Sequence, residues 1–152
     1  MKAKAFSKHD HAHCIADGMR AAQEACEASG KRLTPVRAHV LEVLLRQHKA
    51  MGAYEILDEL REAGFSAQPP QAYRALEFLT EAGLAHRIER LNAFVACAHP
   101  GSEHAPAFLI CRACGAVAEA EAADPLGQSA QDTGFKVERA VVEAEGVCPE
   151  CR

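Results

Sequence analysis

The chain has 152 residues, 49% of them hydrophobic, enough for one ordinary domain or two small ones, which excludes a wholly disordered protein. It holds no run of eighteen apolar residues and no signal-peptide core in "MKAKAFSKHDHAHC", so the expected location is the cytoplasm, where seven cysteines favour metal binding over disulfides. The net charge of −4 is uneven: residues 1–98 carry 13 Lys and Arg against 12 Asp and Glu, residues 99–152 carry 4 against 9, which suits a protein touching phosphates with one part only.

Residues 1–13 are polar and His-rich and read as a mobile tail. In it His9, His11 and His13 alternate beside Asp10 and Cys14; a disordered end is the reading, an auxiliary zinc site the alternative. "CIADGMRAAQEACEASG" spaces Ile15, Met19, Ala22 and Cys26 helically and stops at Gly30. "LTPVRAHVLEVLLRQH" gives a second helix, with Thr34 as N-cap, Pro35 at its first position and Val36, Val40, Leu41, Val43 and Leu44 facing inward. "GAYEILDELREAG" gives a third, with Tyr54, Ile56, Leu57 and Leu60 as its apolar positions. "PQAYRALEFLTEAG" gives a fourth, carried by Ala72, Leu76 and Leu79. Cys26 reads as a buried small hydrophobe, His39 and His48 as helix-surface residues.

The period then changes. "LAHRIERLNAFVACA" alternates as two strands about a turn at Leu91 and Asn92. Helices followed by a hairpin describe a winged helix over residues 14–98. In residues 99–152, "AFLICRACGAVAEAEA" reads as strand, tight turn, strand, "DPLGQSAQDTG" as a short helix, and "FKVERAVVEAEGVC" as a longer strand. The fold class is therefore α+β.

Cys111 and Cys114 recur as Cys148 and Cys151, each pair with two residues between. Such spacing turns both sulfurs to one side of a turn, so two pairs can enclose one tetrahedral zinc. The 33 intervening residues must return the second pair to the first through a folded unit. A thioredoxin-like dithiol fits less well, because "GAVAEAEA" continues as strand where that motif opens a helix. Four thiolates leave no open position, so this zinc is structural.

His86 on the hairpin, Cys97 at its end, His99 and His104 beyond it, and Glu119 on the following strand make a second ligand set. Nitrogen, sulfur and oxygen donors together suit zinc. Spacing alone leaves open which histidine takes part.

"RLTPVRAHVLEVL", "AYEILDELREAG", "PPQAYRALEFLTEAGLAHRIE", "FLICRACGAVAE" and "CPEC" together resemble the ferric uptake regulator superfamily, and its zinc uptake branch in particular, over roughly residues 20–152. The resemblance implies a homodimeric, metal-dependent repressor with an N-terminal winged helix and a small α/β dimerisation domain. It implies a structural zinc on Cys111, Cys114, Cys148 and Cys151 and a regulatory zinc on His86, Cys97, His104 and Glu119, two per subunit, with His99 as a possible substitute for His104. The helix beginning near Pro70 resembles the family's recognition helix, with Tyr73 and Arg74 toward DNA. Gln71 stands where the family commonly has Thr. Lys136 stands where iron- and peroxide-sensing relatives tend to carry a histidine.

The N-terminal residues of a recognition helix reach base edges. Tyr73, Arg74 and Gln71 are therefore the expected base-side contacts, with Lys31, Arg32 and Arg37 toward phosphate and Arg87 and Arg90 on the wing. The expected function is a zinc-responsive repressor of zinc-uptake genes acting on palindromic double-stranded DNA, with no membrane, no small-molecule substrate and no enzymatic activity. The alternative is an iron- or peroxide-responsive regulator of the same architecture.

Overall fold

Asp10 starts the first helix. Its carboxylate accepts from the Ala12 N–H at 2.9 Å, and α1 (His11–Ser29) runs to Gly30, whose left-handed backbone (φ 70°) lets its N–H reach the Cys26 and Glu27 carbonyls. His11 and His13 therefore stand in a helical turn and not in a mobile tail; the cap was hidden among alternating histidines. The computed structural model describes residues 4–101, 105–121 and 124–152. α2 (Pro35–Leu45) opens with Thr34 Oγ1 accepting from the Arg37 N–H at 3.4 Å and Pro35 in the first turn. His48 lies beyond the end of this helix, in a bend, and is half-buried.

α3 (Ala53–Glu62) and α4 (Pro69–Glu81) complete the helical unit. Pro69 and Pro70 both fall in the first turn of α4, where a missing N–H costs nothing. Val40, Leu41, Val43 and Leu44 pack with Ile56, Leu57, Leu60, Leu76 and Leu79 and with Ala22 and Cys26 of α1. Each fully buried aliphatic side chain contributes about 1.5–3 kcal/mol. Gly18 lets α1 approach α2: a Cβ there would lie 2.7 Å from Leu45 Cδ2. Tyr54, at an apolar position of α3, instead points outward and is 67% exposed.

β1 (Ala85–Ile88) and β2 (Ala93–Ala96) pair antiparallel with Ile88 opposite Ala93. The connection is a 3-10 turn, Glu89–Leu91, closed by Asn92 in left-handed conformation (φ 48°), and so is longer than a two-residue turn. The segment after α2 joins this hairpin, with Met51 and Phe94 exchanging N–H···O bonds of 2.9 and 2.8 Å. Lys49 bridges to Ala116 on the other side, and the Val117 N–H reaches the His48 carbonyl at 2.7 Å.

β3 (Pro106–Cys111), β4 (Val117–Glu121) and β5 (Val142–Gly146) form a second sheet in the order β4-β3-β5. β3 pairs antiparallel with β4 and parallel with β5, and α5 (Gly127–Thr133) lies in the crossover. The long strand expected from residue 135 is only five residues long. Phe135 and Val137 are exposed and lie outside the strands formed by the described residues. A small core of Ile88, Val95, Phe108, Ile110 and Val117 joins the hairpin to this sheet. Among the described residues no helix is long and apolar enough to cross a membrane.

Candidate functional site

Two neighbouring parallel strands bring the cysteine pairs together. Cys111 ends β3 opposite Gly146 of β5, so a chain leaving β5 reaches Cys148 beside Cys111. The Cys148 N–H donates to Cys111 Sγ at 3.3 Å, and the Arg112 N–H reaches the Gly146 carbonyl at 2.8 Å. One sulfur from each of Cys111, Cys114, Cys148 and Cys151 lies within 4.8 Å of all the others. Cys114 Sγ and Cys148 Sγ are 3.8 Å apart. Two sulfurs bonded at about 2.3 Å to one tetrahedral zinc are also about 3.8 Å apart, so the set fits that ion.

The thiols are electrostatically divided. Backbone N–H groups of Cys114 and Cys148 bring Cys111 down to about 6, whereas hydrogen bonding to the Cys148 and Cys114 side chains pushes Cys151 up to about 12. Only a cation among them would let all four ionise together.

The second set gathers at the seam between hairpin and sheet. His86 lies in β1 opposite Val95, Cys97 follows β2 with its N–H on the Leu84 carbonyl at 2.9 Å, and Glu119 lies in β4 opposite Phe108. His86 Nε2 is 3.4 Å from Glu119 Oε1, and the other carboxylate oxygen accepts from the Ala98 N–H at 2.8 Å. The donor atoms of His86, Cys97 and Glu119 all lie within 4.8 Å of one another. Two nitrogen or oxygen donors on one tetrahedral ion are about 3.4 Å apart, so this set also fits zinc. Burial pushes the Cys97 thiol up to about 12; the His99 N–H, 3.3 Å from Cys97 Sγ, opposes the rise and the Glu119 carboxylate adds to it. His99 is exposed, and its ring is outside the converging set. His104 lies outside the described residues.

Three of the residues expected to face DNA lie together on the helical unit. Arg37, Gln71 and Arg74 line a groove with Thr34 and Phe65 between the starts of α2 and α4. Tyr73 is 51% exposed, and Arg74, Lys31 and Arg32 are exposed. Gln71 is partly committed: its side-chain oxygen accepts from the Gln68 N–H and caps α4. Arg37 is held too, 3.7 Å over the Phe78 ring with Nη1 2.9 Å from the Arg32 carbonyl. On the wing, Arg90 pairs with Glu145 at 3.1 Å and Arg87 bonds Asn92 at 2.8 Å. Glu143 clamps the turn by accepting from the Glu89 and Arg90 N–H groups at 2.6 and 3.0 Å. Neither Glu143 nor Glu145 was legible in this role, because they contact residues more than fifty positions away.

The model of the Ferric uptake regulator family matches residues 28–144. The chain belongs to that family. The Zinc uptake regulation protein of Escherichia coli (strain K12) is 41% identical over 134 residues, spanning 86% of this chain and 78% of the relative. A Zinc Uptake Regulator complexed with zinc and DNA is 39% identical, with a TM-score of 0.81 over 95% of this chain and 96% of that one. Holo XcZur is 41% identical with a TM-score of 0.80, covering 89% of this chain and 96% of its own. Apo XcZur, 39% identical over 91% of this chain and 98% of its own, reaches only 0.55. The backbone of this family member thus superposes more closely on holo than on apo XcZur.

Proposed function

We propose that this chain is a zinc-responsive transcriptional repressor that binds palindromic operator DNA as a homodimer and represses zinc-uptake genes in the cytoplasm. The observation carrying it is the convergence of His86 and Cys97 from the hairpin with Glu119 from β4. With His104 as fourth ligand, one zinc there joins the winged helix to the dimerisation domain of residues 99–152. A second zinc on Cys111, Cys114, Cys148 and Cys151 serves the fold, giving two per subunit. The likeness to holo over apo XcZur supports the linkage. The thiolate in the regulatory set favours zinc over iron or manganese. Neither four-ligand shell leaves a position for substrate, in keeping with a regulator and not an enzyme.

The exposed Leu126, Phe135, Val137 and Val141 supply apolar surface for a second copy. In the dimer the two α4 helices enter successive major grooves. Arg74 can pair bidentately with guanine, Tyr73 can reach a thymine methyl, and the amide nitrogen of Gln71 remains to donate. Lys31, Arg32 and Arg37 face phosphate, so affinity falls as salt rises. Shifting the arms from 1:99 to 99:1 in favour of the DNA-competent arrangement takes about 5.5 kcal/mol of differential zinc binding.

The test is a zinc titration of binding to duplexes selected from a random library. Cys97→Ser should leave a folded dimer whose DNA affinity no longer rises with zinc. Retained zinc-dependent binding would refute the ligand assignment.

A further inference from the structure

A third group of metal-ligating side chains lies away from both sets. His9, just before α1, Cys14, in its first turn, and His48, in the bend after α2, bring one donor atom each within 4.8 Å of the others. His9 Nε2 and His48 Nε2 are 2.9 Å apart, although 39 positions separate them. The Ser7 carbonyl lies 2.8 Å from His9 Nδ1. That contact places the proton on Nδ1 and leaves the Nε2 lone pair facing His48, the arrangement a metal-bound imidazole needs. The His11 ring stands 4.7 Å from His9 and 5.3 Å from His48. All three donors are half-buried.

We infer that His9, Cys14 and His48 form a further zinc site that clasps the N-terminal segment to the junction of the two units. Two imidazoles and one thiolate are a borderline donor set that zinc accepts, with the fourth position open to water or to His11. Two nitrogens on one tetrahedral zinc are about 3.3 Å apart, so the pair need open by only about 0.4 Å. The position gives the site its effect. The His48 carbonyl accepts from Val117 of β4, and Phe6 and Ser7 line a cavity with Leu109, Cys111 and Cys148 of the sheet unit. An ion on His9 and His48 thus fixes a strap that runs from beside the cysteine cluster to α1. This is separate from the Cys97 site, and its loading rigidifies the same junction.

The test counts zinc bound by the full chain, by equilibrium dialysis with metal analysis. His9→Ala and His48→Ala should each bind one zinc fewer per chain than the wild type. His9 precedes the first helix, so its variant reports even if His48→Ala folds poorly. With cobalt in place of zinc, the equivalent lost in these variants should carry a thiolate absorption band that Cys14→Ser removes. Trypsin cleavage after Lys8, which is exposed, should slow about tenfold when that equivalent binds to wild type and stay unchanged in His9→Ala. Equal zinc counts in wild type and both histidine variants overturn the site, as does a cobalt spectrum that Cys14→Ser leaves unaltered. The readout is a difference between chains, so it stands whether or not Cys97 proves to be the regulatory ligand.

Discussion

The cluster centred on the helices holds eighteen buried hydrophobic residues, while the sheet unit contributes three to a cluster of five shared with the hairpin. The sheet unit also leaves Leu109, Leu126, Phe135, Val137 and Val141 exposed. Burial alone can hold the helices together. The sheet has little apolar interior, so under the proposed reading its stability comes from the zinc on its four sulfurs and from a second copy of the chain. On that reading stability is intrinsic in one unit and borrowed from ligands in the other, which would let a metal control how the two are joined.

The strongest way to break this contrast is to remove one sulfur. Structural zinc contributes about 10–16 kcal/mol in small peptides, more than a typical domain's whole stability. Cys148→Ser should therefore abolish amide protection across β3, β4 and β5 while α2, α3 and α4 stay protected in hydrogen exchange. A variant that keeps strand protection means the sheet does not need its metal. In the helical unit Leu76→Ala should cost about 2–5 kcal/mol, seen as a lower denaturant midpoint whether or not zinc is present. Zinc rescue of that loss would mean the units are not separately stabilised.

Smaller effects sharpen the comparison. Phe135→Glu places a charge on the exposed apolar face and should shift sedimentation toward monomer without lowering the helical midpoint. The smallest effect concerns protons. Because Cys97 is held up at about 12 without metal, zinc uptake by that site near pH 8 should release its proton, and affinity should rise about tenfold per pH unit. Proton release in weakly buffered titrations, lost in Cys97→Ser, checks it. The sign for the metal-free chain is opposite: a raised thiol favours the folded state below its ordinary value near 9, and that stability is lost as pH rises toward 12.

Much of this was legible because local chemistry marks it. Thr34 and Pro35 announce α2, Gly30 ends α1, and the repeated cysteine spacing predicts four converging sulfurs, all of which the fold contains. The alternation of "FKVERAVVEAEG" was as clear, yet only Val142–Gly146 is strand, since alternation states which faces a strand would have and not whether a neighbour is there to pair with. Gln71 was expected to face DNA, and its role as the cap of its own helix was not foreseen.

Local sequence sets the order of elements, the apolar stripes of the helices and the donor types in each ligand set, because caps, periodicity and ligand chemistry act over a few residues. Which donors meet is settled by long-range packing. Parallel pairing of β3 with β5 seats Cys148 beside Cys111, β4 carries Glu119 to the hairpin, and the bend after α2 sets His48 against His9. Those meetings are fixed by strand register and packing between distant segments, and no local pattern encodes them.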